Sequence, residues 1–185
     1  MKKWANIVVV AVFLGMATTS AMAEGFYAAL DAGETTAADA CTEAPASLAC
    51  RNTAALYRFA GGYQFDAKWG VEASYGDYGK AALITTLADW QLSGLQVAGT
   101  ATFPLGTAFS MLVKLGIAQT TIKLSGVGST QSATSTQFAY GVGVQYDLSE
   151  NLAIRVQYED LGAVGDANIG KSNVSLLSGG IVVRF

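Results

Sequence analysis

The chain has 185 residues, of which 11 are basic, 14 acidic and none histidine; 51% are hydrophobic and only 14% charged. The lack of histidine excludes Ser-His and Cys-His nucleophile pairs and any His-containing metal site. A net charge of −3 without a basic cluster argues against nucleic acid as a partner.

Residues 1–23 read as a secretory signal peptide. Lys2 and Lys3 form the basic start, Ile7 to Met16 the apolar run, and Ala21-Met22-Ala23 an A-x-A cleavage site before Glu24. Loss of the two leader lysines leaves nine bases against fourteen acids, a charge of −5. Residues 24–185 then make one domain of roughly 160 residues. No later stretch reaches 18 consecutive apolar residues, so no transmembrane helix is expected.

Eight segments of period-2 alternation follow, the signature of half-buried strands. Phe26 to Gly33 sets Phe26, Ala28, Leu30 and Ala32 against Tyr27, Ala29, Asp31 and Gly33. About Ala55 to Phe65, Tyr57, Phe59, Tyr63 and Phe65 oppose Arg58, Ala60, Gly62 and Gln64. Trp69 to Tyr78 places Val71, Ala73 and Tyr75 opposite Gly70, Glu72 and Ser74. Trp90 to Phe103 is fourth, and its parity slips near Gly94, which reads as a bulge or as strand above the membrane. Phe109 to Thr120 sets Met111, Val113, Leu115 and Ile117 against Ser110, Leu112, Lys114 and Gly116. The hairpin from Phe138 to Glu159 supplies the sixth and seventh, around a Ser149-Glu150-Asn151 turn, and Asn173 to Phe185 the eighth.

Connections alternate in length. Asp66 to Lys68, Pro104 to Thr107 and Ser149 to Asn151 are short; Glu34 to Ala54, Gly79 to Asp89, Thr121 to Thr136 and Gly162 to Ser172 are long and read as flexible loops. This is the pattern of a bacterial outer-membrane barrel with short periplasmic turns, long extracellular loops and both termini in the periplasm. Aromatic residues bunch at strand ends as girdles would: Phe65, Trp69, Phe103, Phe109, Tyr146 and Phe185 at the short-turn end, and Tyr57, Tyr75, Trp90, Tyr140 and Tyr158 at the other. A soluble lipocalin-like barrel or sandwich is the alternative, but it would expose a glycine-rich face (Gly62, Gly70, Gly116, Gly143, Gly180) that suits a narrow lumen better. The expected fold is an all-β, eight-stranded antiparallel up-and-down transmembrane β-barrel.

Five stretches, Gly61-Gly62-Tyr63-Gln64-Phe65, Val71-Glu72-Ala73-Ser74-Tyr75, Gly141 to Tyr146, Asn151 to Tyr158 and Val183-Arg184-Phe185, closely resemble the OmpA-like transmembrane domain family in order and spacing across the mature chain. The resemblance implies an eight-stranded outer-membrane barrel, and makes Phe185 similar to the C-terminal aromatic signal read by the barrel-assembly machinery. Many relatives continue into a peptidoglycan-binding domain; this chain stops at Phe185, so cell-wall tethering is not carried over.

Parity turns Asp31, Arg58, Glu72, Lys114, Arg155, Glu159 and Arg184 inward. Buried charges must pair, so a Glu72–Arg155 ion pair with Lys114 close by is expected, within a lumen charge network of Glu72, Lys114, Arg155, Arg58 and Glu159. That network reads either as a fixed filling of the barrel or as a switchable gate on a narrow pore. Relatives tend to carry a second acid where Gln145 stands and a lysine where Thr100 stands; both are missing here, which favours the fixed plug. Carboxylate pairs such as Asp77 with Glu159 or Asp160 offer the one route to catalysis, and no enzyme is expected. Gly141-x-Gly143 lies within a strand with no helix after it, so it is not a dinucleotide fingerprint. No cofactor or metal site is expected; Asp39, Glu43, Asp89 and Asp166 read as solvated loop acids. Cys41 and Cys50 are expected to form a disulfide in an oxidising periplasm, with two free thiols as the alternative. Leu83, Ile84 and Leu87 read as packing on the barrel mouth or continuing strands, or else as a binding patch.

The resulting expectation is a monomeric outer-membrane barrel with a structural, membrane-integrity role. Its partners are outer-membrane lipid and lipopolysaccharide, the assembly machinery, and a host or matrix ligand at the loops. A low-conductance pore for small solutes and a loop-mediated adhesin are the alternatives.

Overall fold

A computed structural model describes residues 24–38, 52–82, 88–126, 129–166 and 170–185. The signal peptide, Cys41, Cys50, Asp39, Glu43, Leu83, Ile84 and Leu87 lie outside the described residues, as does the side chain of Trp90. Eight strands are present among the described residues: β1 (Gly25–Ala37), β2 (Thr53–Gln64), β3 (Trp69–Ala82), β4 (Ala88–Pro104), β5 (Phe109–Gly126), β6 (Ser129–Asp147), β7 (Leu152–Asp166) and β8 (Gly170–Arg184). Each pairs antiparallel with its sequence neighbour, and β1 pairs with β8 to close the barrel.

Closure leaves the apolar faces nowhere to go but outward. Phe26, Leu30, Tyr57, Phe59, Trp69, Leu115, Ile117, Phe138, Val142, Val156 and Ile181 are all exposed on the barrel wall. Such a band is unstable in water and stable in lipid. Three tight turns join β2–β3, β4–β5 and β6–β7. In the first, Asp66 Oδ1 accepts from the backbone N–H groups of Lys68 and Trp69, both at 2.7 Å. At the same end the Lys68 amine sits 5.3 Å from the Trp69 ring and 4.8 Å from the Phe103 ring. Phe109 packs on Tyr146 with ring centroids 4.7 Å apart.

Two expectations need correction. Most of Gly79–Asp89, Thr121–Thr136 and Gly162–Ser172 is strand, since β5 and β6 pair all the way to Gly126↔Ser129 and β7 and β8 to Asp166↔Gly170. Above the lipid a strand needs no apolar face, and Thr is β-branched and favours the extended chain. Second, β4 carries no bulge at Gly94: Leu92, Gly94, Gln96 and Ala98 are all buried and point inward in unbroken alternation. The register shift lies in β3, between Asp77 and Lys80, with a matching one in β7 between Asp160 and Ala163.

These two irregularities also divide the long-loop end. β2 and β3 pair only as far as Tyr57↔Asp77, and β6 and β7 only as far as Tyr140↔Asp160. Beyond those points the wall continues as two four-stranded sheets, β7-β8-β1-β2 and β3-β4-β5-β6. Each division carries the same local device. The Asp carboxylate accepts from the N–H of the glycine two residues on, Gly79 to Asp77 at 3.0 Å and Gly162 to Asp160 at 2.6 Å. Both glycines have positive φ, 90° and 71°, a backbone region L-residues rarely adopt. The residue between, Tyr78 or Leu161, turns into the barrel.

Candidate functional site: the barrel lumen

An eight-stranded barrel encloses just enough space for side chains to fill it. Here the filling comes in three levels. The middle level is a ring of six charged residues, alternating in sign. Arg58 Nη1 donates to Glu159 Oε1 at 2.6 Å and its Nε to Asp31 Oδ2 at 3.1 Å. Asp31 also receives Arg155 Nε at 2.9 Å and Nη2 at 2.8 Å, a bidentate pairing. Arg155 Nη1 continues to Glu72 Oε2 at 2.7 Å, and Lys114 Nζ to Glu72 Oε1 at 2.6 Å. Lys114 Nζ lies 3.5 Å from Glu159 Oε1, which closes the circuit. Three acids meet three bases, so the ring is neutral. The Tyr27 hydroxyl donates to Glu72 Oε2 at 3.0 Å and joins the ring from below.

All five charged residues expected in the lumen (Glu72, Lys114, Arg155, Arg58, Glu159) lie in this ring, and all are at most 3% exposed. Sequence reasoning missed the bridging part of Asp31, which links the two arginines. Glycines give the ring its room. The Asp31 carboxylate packs directly over Gly180 and the Tyr27 ring over Gly62, where a Cβ would collide with them.

Toward the long-loop end lies a second level, which is apolar. Ala37, Leu56, Tyr78, Leu92, Ala118, Ala139, Leu161, Val164, Val174 and Leu176 form one buried cluster to which every strand contributes. This layer was not expected from sequence. Its residues share inward parity with the ring, except Val164, which lies beyond the register shift of β7, but in stretches such as Leu176-Leu177 both faces are apolar and alternation is silent.

Toward the short-turn end a vestibule of about 370 Å³ is lined by Tyr27 and Arg155, by Thr100 and Gln145, and by Arg184 and Asp147. Arg184 Nη2 and Asp147 Oδ1 pair at 2.6 Å and are a third exposed. Gln145 Nε2 reaches Asp147 Oδ1 at 3.3 Å. Thus Gln145 and Thr100 face the vestibule, with no charge to offer the ring.

The carboxylates considered for catalysis do not converge. Glu159 is in the ring, whereas Asp160 accepts from the exposed Tyr140 hydroxyl at 3.2 Å and Asp77 from Gln91 Nε2 at 3.2 Å. Among the described residues no cluster of acids or cysteines has metal-binding geometry.

A closed antiparallel barrel with apolar walls and a packed polar lumen admits comparison with known proteins. The outer membrane protein beta-barrel domain family matches residues 7–185. The chain belongs to that family. Solved structures of similar fold include neisserial surface protein A (19% identity, 87% of this chain and 97% of that one, TM-score 0.67). Ail, the attachment invasion locus protein of Yersinia pestis, aligns at 20% identity over 88% of this chain and 99% of its own, TM-score 0.58. OprG of Pseudomonas aeruginosa aligns at 15% identity over 90% and 100%, TM-score 0.57. No curated protein matches. At these identities the structures establish the fold, a small eight-stranded barrel, and membership of the family places it in the bacterial outer membrane. The OmpA-like resemblance agrees with it.

Proposed function

We propose that this outer-membrane barrel is a closed, non-catalytic structural element of the cell envelope, monomeric, with its short turns and both termini in the periplasm and its extended strands outside the cell. The observation that carries the reading is the double closure of the lumen. A conducting path needs the ionic ring to open and the apolar layer above it to wet. An apolar constriction excludes ions by dewetting even where charges nearby rearrange. Exchange of ion-pair partners therefore does not open this barrel, and the pore reading loses its mechanism.

Phe185 follows the last residue of β8, and its backbone N–H donates to the Phe26 carbonyl at 2.9 Å, which seats the C-terminal aromatic on the barrel seam. Its proposed role is as the signal for the assembly machinery. The Cys41–Cys50 disulfide remains a proposal about the first long loop. A loop-mediated adhesin is the second reading; the similar Ail has been crystallised with the heparin analogue sucrose octasulfate.

Deletion and complementation separate these readings. A deletion strain is expected to leak periplasmic enzymes and to gain detergent sensitivity. Both are expected to be restored by the full chain and equally by a version lacking residues 39–51. Rescue that requires the loop would contradict the structural reading and favour the adhesin.

A further inference from the structure

The vestibule below the ionic ring is space that the lumen side chains leave unfilled, about 370 Å³, within the size range of small-molecule sites. Its chemistry changes with depth. At the rim Glu24, Asp147 and Glu150 stand against Arg184. Even when the amine of a chain beginning at Glu24 is counted, one acid is in excess. Farther in, Leu112 and Val182 give the wall an aliphatic section. At the floor lie Tyr27, Arg155 and Thr100, the last in register with Lys114 of the ring.

The inner surface offers acceptors where its donors are already spent. Tyr27 commits its hydroxyl proton to Glu72 at 3.0 Å, which leaves its lone pairs to the cavity. Arg155 directs Nε, Nη1 and Nη2 to Asp31 and Glu72. Gln145 donates its amide N–H to Asp147 at 3.3 Å and keeps its carbonyl oxygen for the vestibule. Thr100 carries the decisive observation. The residue is 2% exposed, lines the vestibule, and its Oγ1 has no hydrogen-bond partner among the described residues. A buried hydroxyl without a partner is costly, and a donor placed in the cavity would satisfy it. The ring above is neutral, so it does not repel a cation. A metal ion fits poorly: no acids or cysteines among the described residues converge with metal-binding geometry, and the aliphatic section offers it no ligand. An ammonium group brings three N–H donors and a positive charge, and a methylene chain suits Leu112 and Val182.

We propose that the vestibule is a binding site for a linear diammonium ion, a polyamine in chemical class. One ammonium sits among the floor acceptors Thr100 and Tyr27, the methylene chain lies along Leu112 and Val182, and the second ammonium meets Asp147 and Glu150 at the rim. The site goes beyond the structural role proposed above and requires neither conduction nor a particular orientation of the barrel. It does not rest on that role, so failure of either leaves the other standing.

The test is calorimetric titration of the mature chain in phosphocholine nanodiscs with 1,4-diaminobutane, with 1-aminobutane and 1,4-butanediol as controls and empty nanodiscs as blank. Saturable binding of one diamine per chain is expected, at least about tenfold weaker binding of the monoamine, and none of the diol. Thr100→Val keeps the shape of the side chain and removes the acceptor; it is expected to weaken diamine binding about tenfold, as loss of a hydrogen bond to a charged group does. Glu150→Gln is expected to weaken it about threefold, in keeping with an exposed charge pair. Backbone amide NMR is expected to place the diamine-induced shifts at residues 100–102, 110–112 and 145–147. No saturable binding, equal affinity for monoamine and diamine, undiminished binding by either variant, or shifts confined to other residues would overturn the proposal. The amide spectrum of each variant reports its folding, and if Thr100→Val does not fold, the wild-type shift map and the diamine-to-monoamine ratio decide.

Discussion

Asp31 accepts three hydrogen bonds from two arginines on different strands, Arg58 on β2 and Arg155 on β7. Removing it leaves two guanidinium groups in a dry lumen with one acid fewer. Breaking a buried ion pair costs about 3–5 kcal/mol, more than the intact pair contributes over an apolar substitute. Asp31→Ala is therefore expected to lower the unfolding free energy of the barrel by about that amount in urea titrations followed by tryptophan fluorescence in lipid vesicles. Lys114→Met leaves the acids in excess instead and is expected to destabilise too, because neutrality of the ring and not any single pair is at stake. Parity alone turned Asp31 inward, and its neighbours were invisible because they come from strands 27 and 124 residues away. Only the register, which sequence does not state, says that Arg58 and Arg155 reach the same carboxylate.

At the scale of elements, the two Asp-x-Gly irregularities and the first short turn carry the specific backbone demands. Gly162 has φ 71°, and a side chain there costs about 1–2 kcal/mol. Gly162→Ala is expected to destabilise by that much, whereas Gly106→Ala, with nothing within 4 Å of an added Cβ, is expected to be neutral in the same urea titration. In the turn, hydrogen bonds from the Trp69 and Lys68 backbone hold the Asp66 carboxyl below the usual carboxylate range. A depressed folded-state pKa stabilises above the unfolded-state value and loses that stabilisation as pH falls through the folded one. Unfolding midpoints of the wild type and Asp66→Asn are thus expected to differ at pH 7 and to converge as the pH drops well below 4. A constant offset would contradict the assignment. The strands themselves were legible wherever lipid forces an apolar face. Their extensions were not, because Ser-, Thr- and Gln-rich ribbons outside lipid look like loops in composition. The parity slip read from sequence near Gly94 has a different origin: alternation there is unbroken, but Leu92 faces the lumen, where an apolar residue was not anticipated.

For the whole molecule, the architecture was readable and the state of the lumen only half so. Alternation, short and long connections and aromatic ends specify a transmembrane barrel, because the bilayer permits few other folds for such a chain. The ionic ring announces itself through charged residues at inward parity. The apolar layer does not, since Leu56, Leu161 and Leu176 are ordinary strand residues until the closed topology brings them face to face. In the function proposed here, that layer is what favours a plug over a gate. The central claim is accordingly a lumen sealed twice, and single-channel recording in planar bilayers tests it most directly. No steady openings are expected from the wild type, nor from Glu72→Ala, whose apolar layer remains intact. Steady openings of the wild type that Glu72→Ala or Lys114→Ala abolishes would contradict the claim.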